Sequence, residues 1–126
     1  MNDPSNSYPS LKNRSVIITG GGRGLGREMA LALVGSGANV MITAAYSEDQ
    51  LAEVQQAASG PGKIETIIAD AGSYNDCLRV VAATQDAFGS VHCLVNNAGR
   101  GMRLVSETFT TKPCLFWETD PSHWST

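Results

Sequence analysis

The sequence predicts an α/β fold built on a parallel sheet, and three observations predict it. Four short runs rich in apolar and β-branched residues recur along the chain, at Ser15–Thr19, Asn39–Thr43, Ile64–Ala69 and Val91–Val95. The stretches between them carry apolar residues at helical spacing, so the order is β-α-β-α-β-α-β. Five glycines, Gly20, Gly21, Gly22, Gly24 and Gly26, follow the first run directly. Strands alternating with helices imply right-handed crossovers and helices on both faces of the sheet. A strand covered on both faces reads as a continuous apolar run, as these do.

Each element follows from its residues. After the glycines, Leu25, Met29, Ala30, Leu33 and Val34 form one helical face, and Gly35 and Gly37 end that helix. Beyond the second strand, Ser47 with Gln50 three residues on has the pattern of a capping box, and Leu51, Val54 and Ala58 supply the helix's apolar stripe. Ser59-Gly60-Pro61-Gly62 is a breaker segment. After the third strand, Ser73 and Asp76 cap a helix whose inner face is expected to carry Cys77, Leu78, Val81 and Phe88, with Gly89 as its stop. The fourth strand ends at Asn96-Asn97-Ala98-Gly99. From Arg100 to Thr119 the rhythm breaks into a loop. Asp120-Pro121 then has the pattern of an N-cap and a first helical residue, with Ser122 to Thr126 all that follows.

Composition bounds the function. At 126 residues the chain fits one small domain, and 42% hydrophobic with 17% charged residues is an ordinary globular balance. A net charge of -3 argues against nucleic acid and anionic membranes as partners, because both favour a basic face. Cys77, Cys93 and Cys114 are odd in number and widely spaced, which argues against a disulfide framework or a zinc site. They are expected to be reduced and packed in the interior. The first ten residues lack the cationic start and apolar run of a signal peptide, and no apolar stretch approaches the ~20 residues that span a bilayer. The expectation is a cytoplasmic protein.

The segment Thr19-Gly20-Gly21-Gly22-Arg23-Gly24-Leu25-Gly26 joins the first strand to the first helix. Glycine lets the backbone turn sharply and approach a ligand closely. The helix beginning here presents free N–H groups and the positive end of its dipole, a combination that favours phosphate. In an open parallel sheet a dinucleotide binds beyond the carboxyl ends of the strands. The pattern is T-G-x-x-x-G-x-G rather than strict G-x-G-x-x-G, and its context between a buried strand and an amphipathic helix is what gives it weight.

At four successive places the chain resembles the short-chain dehydrogenase/reductase family. Thr19-Gly20-x-x-x-Gly24-x-Gly26 resembles its pyrophosphate loop. Asp70, after the third strand, resembles its adenine-contacting acid. Asn96-Asn97-Ala98-Gly99 resembles its N-N-A-G motif. Phe116-Trp117-Glu118 and Asp120-Pro121-x-x-Trp124 are similar to the segment leading into its long central helix. The resemblance covers roughly residues 11 to 126. It implies a Rossmann-type three-layer α/β/α fold, truncated after about four strands in the order 3-2-1-4. Residues 1–11 are then a flexible leader, and residues 12–126 an incomplete NAD(P)-binding domain whose residues 100–126 form a loop and the start of a truncated helix.

The cofactor residues implied are Thr19, Gly20, Arg23, Gly24, Leu25, Gly26, Asp70, Asn97, Ala98 and Gly99. Leu25 would offer its backbone N–H, and Ala98 and Gly99 would leave room for the nicotinamide ribose. Asp70 and Asn97 also suit simple turn formation. An NAD-specific site usually places an acid at the end of the second strand. Here Ala44 and Ala45 occupy that place, and no carboxylate comes before Glu48. Arg23 could pair with a 2′-phosphate through its planar fork, or stand solvated, and Tyr46 and Ser47 could add contacts. NADP(H) is therefore expected, with NAD as the alternative.

The family's catalytic tyrosine, lysine, serine and asparagine fall beyond this segment, so none is assigned. Tyr8-Pro9-Ser10-Leu11-Lys12 spells Tyr-x-x-x-Lys, but Pro9 and a position before the first strand make that match accidental. His92 and His123 have no catalytic partner at a telling spacing and are expected to be structural. Three functions compete. They are a carbonyl/alcohol oxidoreductase of which this chain is the cofactor-binding half, a non-catalytic NADP(H)-binding module, and a non-functional truncated fragment. A full-length form is expected to be a homo-oligomer. The isolated chain is expected to self-associate through the exposed edge of its fourth strand.

Overall fold

The computed structural model describes residues 11–100, 107–108 and 110–123. Its order is β1 (Ser15–Ile18), α1 (Gly24–Gly35), β2 (Asn39–Ala44), α2 (Glu48–Ala57), β3 (Ile64–Ile68), α3 (Tyr74–Phe88) and β4 (Cys93–Val95), followed by 3₁₀ turns at Phe116–Glu118 and Pro121–His123. Tyr8 and Trp124, both named above, lie outside the described residues. The four strands form one parallel sheet in the order β3-β2-β1-β4. This is the Rossmann-type arrangement. Its switch point lies between β1 and β4, where successive connections leave in opposite directions.

Strand alternation divides the core into two layers. Val16 and Ile18 of β1, with Val40 and Ile42 of β2, face Ala30 and Val34 of α1 and Leu51 and Val54 of α2. Ile17 and Met41 face the other way, against Ala69 and Val80 of α3. So α1 and α2 cover one face and α3 the other, and β1 is buried along its whole length. That is why its sequence shows no polar alternation. Leu11 packs on the first layer, and the Arg14 N–H donates to its carbonyl.

The helix caps match the sequence. The Ser47 hydroxyl accepts from the Gln50 N–H and the Ser73 hydroxyl from the Asp76 N–H, each at 3.3 Å. Gly89 terminates α3 with φ 83°.

The inner face of α3 departs from expectation. Cys77, Leu78 and Val81 are exposed; Val80, Ala83, Thr84 and Phe88 face the sheet. The helix carries two adjacent apolar stripes, and spacing alone cannot choose between them. Thr84 reads as an outward residue, yet its hydroxyl is satisfied within the helix by the Val80 carbonyl at 2.7 Å, which lets it be buried. The cysteines are corrected for the same reason. Cys77 lies on the outward stripe of α3 and Cys93 on the outermost described strand, so both are exposed, and Cys114 is half-buried. They are free thiols but not core residues.

His92 has a structural role. Its ring Nδ1 accepts from the Ser15 N–H at 2.9 Å, while its backbone N–H donates to the Ser15 carbonyl at 2.9 Å. An imidazole thus extends the β1–β4 ladder by one rung. Along β4, Leu94 is 54% exposed, and Leu78 and Val81 of α3 add further uncovered apolar surface. Among the described residues no helix is long and apolar enough to cross a membrane, and no cluster of metal-ligating side chains occurs.

Candidate functional site

The carboxyl ends of all four strands open into one hollow of about 1090 Å³. That is at the upper end of the roughly 300–1,000 Å³ common for ligand pockets. Its wall takes Gly20, Gly22, Arg23 and Gly24 from the loop after β1, Ala45 to Ser47 from the segment after β2, Asp70 to Gly72 after β3, and Asn97 to Arg100 after β4.

A clasp between β1 and β4 builds the floor. The Thr19 hydroxyl donates to the Val95 carbonyl at 3.4 Å and accepts from the Asn97 and Ala98 N–H groups at 3.1 and 3.0 Å. A hydroxyl has one proton and two lone pairs to offer, and this one uses all three. In return the Asn97 side-chain amide donates to the Thr19 and Gly20 carbonyls, each at 3.1 Å. The two loops are thereby locked together behind the hollow.

Close packing of the glycine loop depends on missing side chains. Gly20 has φ 69°, and a Cβ there would come within 3.0 Å of the Ala98 Cα. On Gly26 a Cβ would overlap the Gly20 carbonyl and the Asn97 amide, so only glycine lets α1 approach the clasp. Thr19 and Gly26 therefore sit behind the hollow rather than on its wall. Leu25 follows Gly24 at the start of α1 with its side chain largely exposed.

The amino end of α1 differs from those of the other two helices. Serine side chains cap α2 and α3, and acids occupy their first turns. At α1 the N-cap is Arg23, no side chain caps the helix, and its first turn has no acid. Among the described residues no side chain caps its leading N–H groups and no acid lies in its first turn, so the positive end of its dipole is left in the electrostatic setting for an anion. Arg23 and Arg100 on the wall add positive charge, against the one carboxylate, Asp70, that the described residues give it.

A sequence profile described as short chain dehydrogenase matches residues 14–121. The chain belongs to the short-chain dehydrogenase family. It is 38% identical to L-rhamnose 1-dehydrogenase (NADP(+)) of Thermoplasma acidophilum over 90 residues, covering 71% of this chain and 35% of that one. It is 34% identical to the probable galactose dehydrogenase GalD of Rhizobium meliloti over 110 residues, covering 85% and 42%. Among solved structures it resembles a short-chain dehydrogenase/reductase from Serratia marcescens (TM-score 0.69, 33% identity, covering 74% and 38%). It also resembles an NADH-dependent reductase complexed with NAD (TM-score 0.69, 25% identity, covering 93% and 45%). The chain thus spans about two fifths of the length of the curated relatives it matches.

Within this short-chain dehydrogenase domain the structure brings Gly20, Arg23, Gly24, Asp70, Asn97, Ala98 and Gly99 onto one wall. A Cβ added to Gly99 would meet no atom of the described residues within 4 Å. Asp70 is exposed, and its Oδ1 accepts from the Gly72 N–H at 2.8 Å, which makes it a turn former at the rim as well. Several wall residues escaped the sequence reading, among them Arg100, Gln50 and His123. Gln50 lies one turn into α2, against Gly22, and its position there marks only a cap in sequence. His123 reaches the wall from the 3₁₀ turn Pro121–His123, where Asp120 Oδ1 accepts from the Ser122 N–H at 2.9 Å. Nothing in its spacing ties it to the glycine loop.

Asp76 holds the β3 side of the wall in place. The Asp70 backbone N–H donates to its Oδ2 at 2.8 Å, and the Arg79 guanidinium bonds its Oδ1 at 3.2 Å. These partners, the Asp70 N–H foremost, hold the Asp76 carboxyl below the usual aspartate range. A carboxylate depressed on folding contributes stability at pH values above its unfolded pKa, and that contribution fades as pH falls through the lower folded value. The unfolding midpoint of the protein is therefore expected to begin to drop near pH 3.8 and to keep dropping below it. Asp76→Asn is expected to be less stable at neutral pH and to lose that part of the acid dependence. Thermal unfolding followed across pH 2 to 7 in both proteins checks this.

Proposed function

We propose that this chain is the cofactor-binding half of an NAD(P)-dependent oxidoreductase, that it takes NADP(H) in preference to NAD(H), and that it binds the cofactor without turning it over. The observation carrying this reading is the uncapped amino end of α1, open to the hollow beside Arg23, with Ala44 and Ala45 where a ribose-holding acid would stand. In this reading the pyrophosphate lies against the N–H groups of Gly24 and Leu25. The adenine amino group meets Asp70. The nicotinamide ribose lies over Ala98 and Gly99, with Asn97, Thr19, Gly20 and Gly26 shaping the floor beneath. Arg23 pairs with the 2′-phosphate, because a guanidinium fork matches phosphate oxygens and Ala44 and Ala45 place no acid at the end of β2 to repel them.

When bound, the nicotinamide ring supplies the hydride. Exchange with a carbonyl or alcohol substrate belongs, in this proposal, to a protein of its relatives' length, cytoplasmic and self-associating. Within the 126 residues Tyr-x-x-x-Lys occurs as Tyr8 to Lys12, ahead of β1 and with Pro9 next to the tyrosine, which does not suit one continuous helix face. This favours a non-catalytic NADP(H)-binding module as the second reading for the chain by itself. NAD is the alternative cofactor, as in the solved NADH-dependent reductase.

Fluorescence titration of the chain with NADPH and NADH tests the proposal. NADPH is expected to bind about tenfold tighter or better, a difference of about 1.4 kcal/mol. Ala44→Asp is expected to reverse that order by placing a carboxylate where the 2′-phosphate would sit. Absence of saturable binding by either cofactor sinks the reading. Equal affinities for both, unmoved by Ala44→Asp, remove the NADP preference alone.

A further inference from the structure

Tyr46 breaks the packing habit of its own helix. It directly precedes Ser47, the N-cap of α2. From that position an apolar side chain ordinarily folds onto the residue four places beyond the cap. That residue is Leu51, which is 2% exposed and belongs to the first core layer. Tyr46 is 84% exposed. The ring has not joined the core it borders. It stands instead on the wall of the hollow, where the chain passes from β2 to α2.

The neighbouring wall gives this placement a use. At β3 it consists of Ala69, Asp70, Ala71 and Gly72, and at the end of β2 of Ala44, Ala45 and Ser47 beside Tyr46. Asp70 and Ser47 are polar and the others carry nothing larger than a methyl group, so among the described residues Tyr46 is the one aromatic ring that these two segments give to the wall. An exposed phenol ring gains by being covered with another aromatic plane. Stacking of that kind needs no hydrogen-bond code, since every base has a π-face.

We propose that Tyr46 is the platform on which the adenine ring stacks, so that the adenine end of the cofactor is held by a ring face rather than by an acid on the ribose. The proposal rests on the cofactor reading above. It assigns the adenosine end a recognition element of its own. An adenine nucleotide lacking nicotinamide should bind on the strength of that end alone.

The test is calorimetric titration of the 126-residue chain with adenosine 2′,5′-bisphosphate and, separately, with reduced nicotinamide mononucleotide. Tyr46→Ala is expected to weaken the bisphosphate by roughly five- to a hundredfold, the range that base stacking on aromatic side chains gives on alanine substitution. Tyr46→Phe keeps the ring and should stay within about twofold of the parent by the same logic. Reduced nicotinamide mononucleotide should be indifferent to both changes. Tyr74→Ala serves as the control, because Tyr74 is 77% exposed but does not lie on the wall. It should leave every affinity unchanged. Thermal unfolding without ligand should be the same in all four proteins, since neither tyrosine packs in the core.

Unchanged bisphosphate affinity in Tyr46→Ala overturns the proposal. So does an equal loss in Tyr46→Phe, which would assign the contact to the hydroxyl. If the parent chain takes neither probe nor NADPH, the cofactor reading itself has failed. If it takes them and only the Tyr46 variants disobey, the stacking role alone has failed.

Discussion

Gly26→Ala is expected to abolish saturable NADPH binding and to lower stability by about 3 kcal/mol, the upper part of the range for overpacking. The added methyl group would overlap the Gly20 carbonyl and the Asn97 amide, which are a backbone group and a pinned side chain rather than the free end of a flexible one. Neither can yield without opening the Thr19–Asn97 clasp or pushing α1 off the sheet. Either movement turns the leading N–H groups of α1 away from the hollow. Gly99→Ala is the matched control. Its methyl group would meet no atom of the described residues within 4 Å, so stability should not change. Urea unfolding midpoints and NADPH fluorescence of the two variants check this. Normal binding by Gly26→Ala would mean that the approach of α1 to the clasp is not what shapes the site.

The second large effect is expected at the clasp. Thr19→Val keeps the shape of the side chain but strands the Asn97 and Ala98 N–H groups that its hydroxyl accepts. Leaving the part-buried Asn97 donor without a partner costs about 1–3 kcal/mol, while water can reach the exposed Ala98 donor, so a total of about 2 kcal/mol is expected. Asn97→Ala removes the return bonds to the Thr19 and Gly20 carbonyls and is expected to cost about 2 kcal/mol on the same basis. The two residues act as one unit, so the double variant should cost clearly less than the sum of the singles. Additive losses in a denaturant-based double-mutant cycle would show that the two halves of the clasp work independently.

These two predictions draw on different parts of the molecule's legibility. The need for glycine at position 26 can be anticipated from its place in a strand-to-helix turn. What it must avoid cannot, because Asn97 is far away in sequence and enters only when β4 lies beside β1. His92 shows the same division. Its place at the start of a strand marks it as structural, but its partner, Ser15, is set by the sheet order. Asp70 was legible as a residue at a strand's end, yet the bond from its N–H to Asp76, which ties β3 to α3, depends on how that helix is seated. The choice of face on α3 went the other way from the spacing of its apolar residues. Two stripes compete there, and the sheet accepts the one containing Val80 and Thr84.

By itself the sequence determined whatever depends on neighbours along the chain. It set the four apolar runs, the serine caps of α2 and α3, the glycine stop of α3, and the uncapped glycine turn ahead of α1. These follow from backbone preference and local hydrogen bonding, which act over a few residues. Tertiary structure alone decided which stripe of α3 is buried, that Cys77 and Cys93 face outward, that Thr19 and Asn97 close on each other, and that Gln50 and His123 share a wall with the glycine loop. Those outcomes depend on which strands become neighbours and on which face each crossover lands. Such contacts join residues tens of positions apart, beyond the reach of any local propensity.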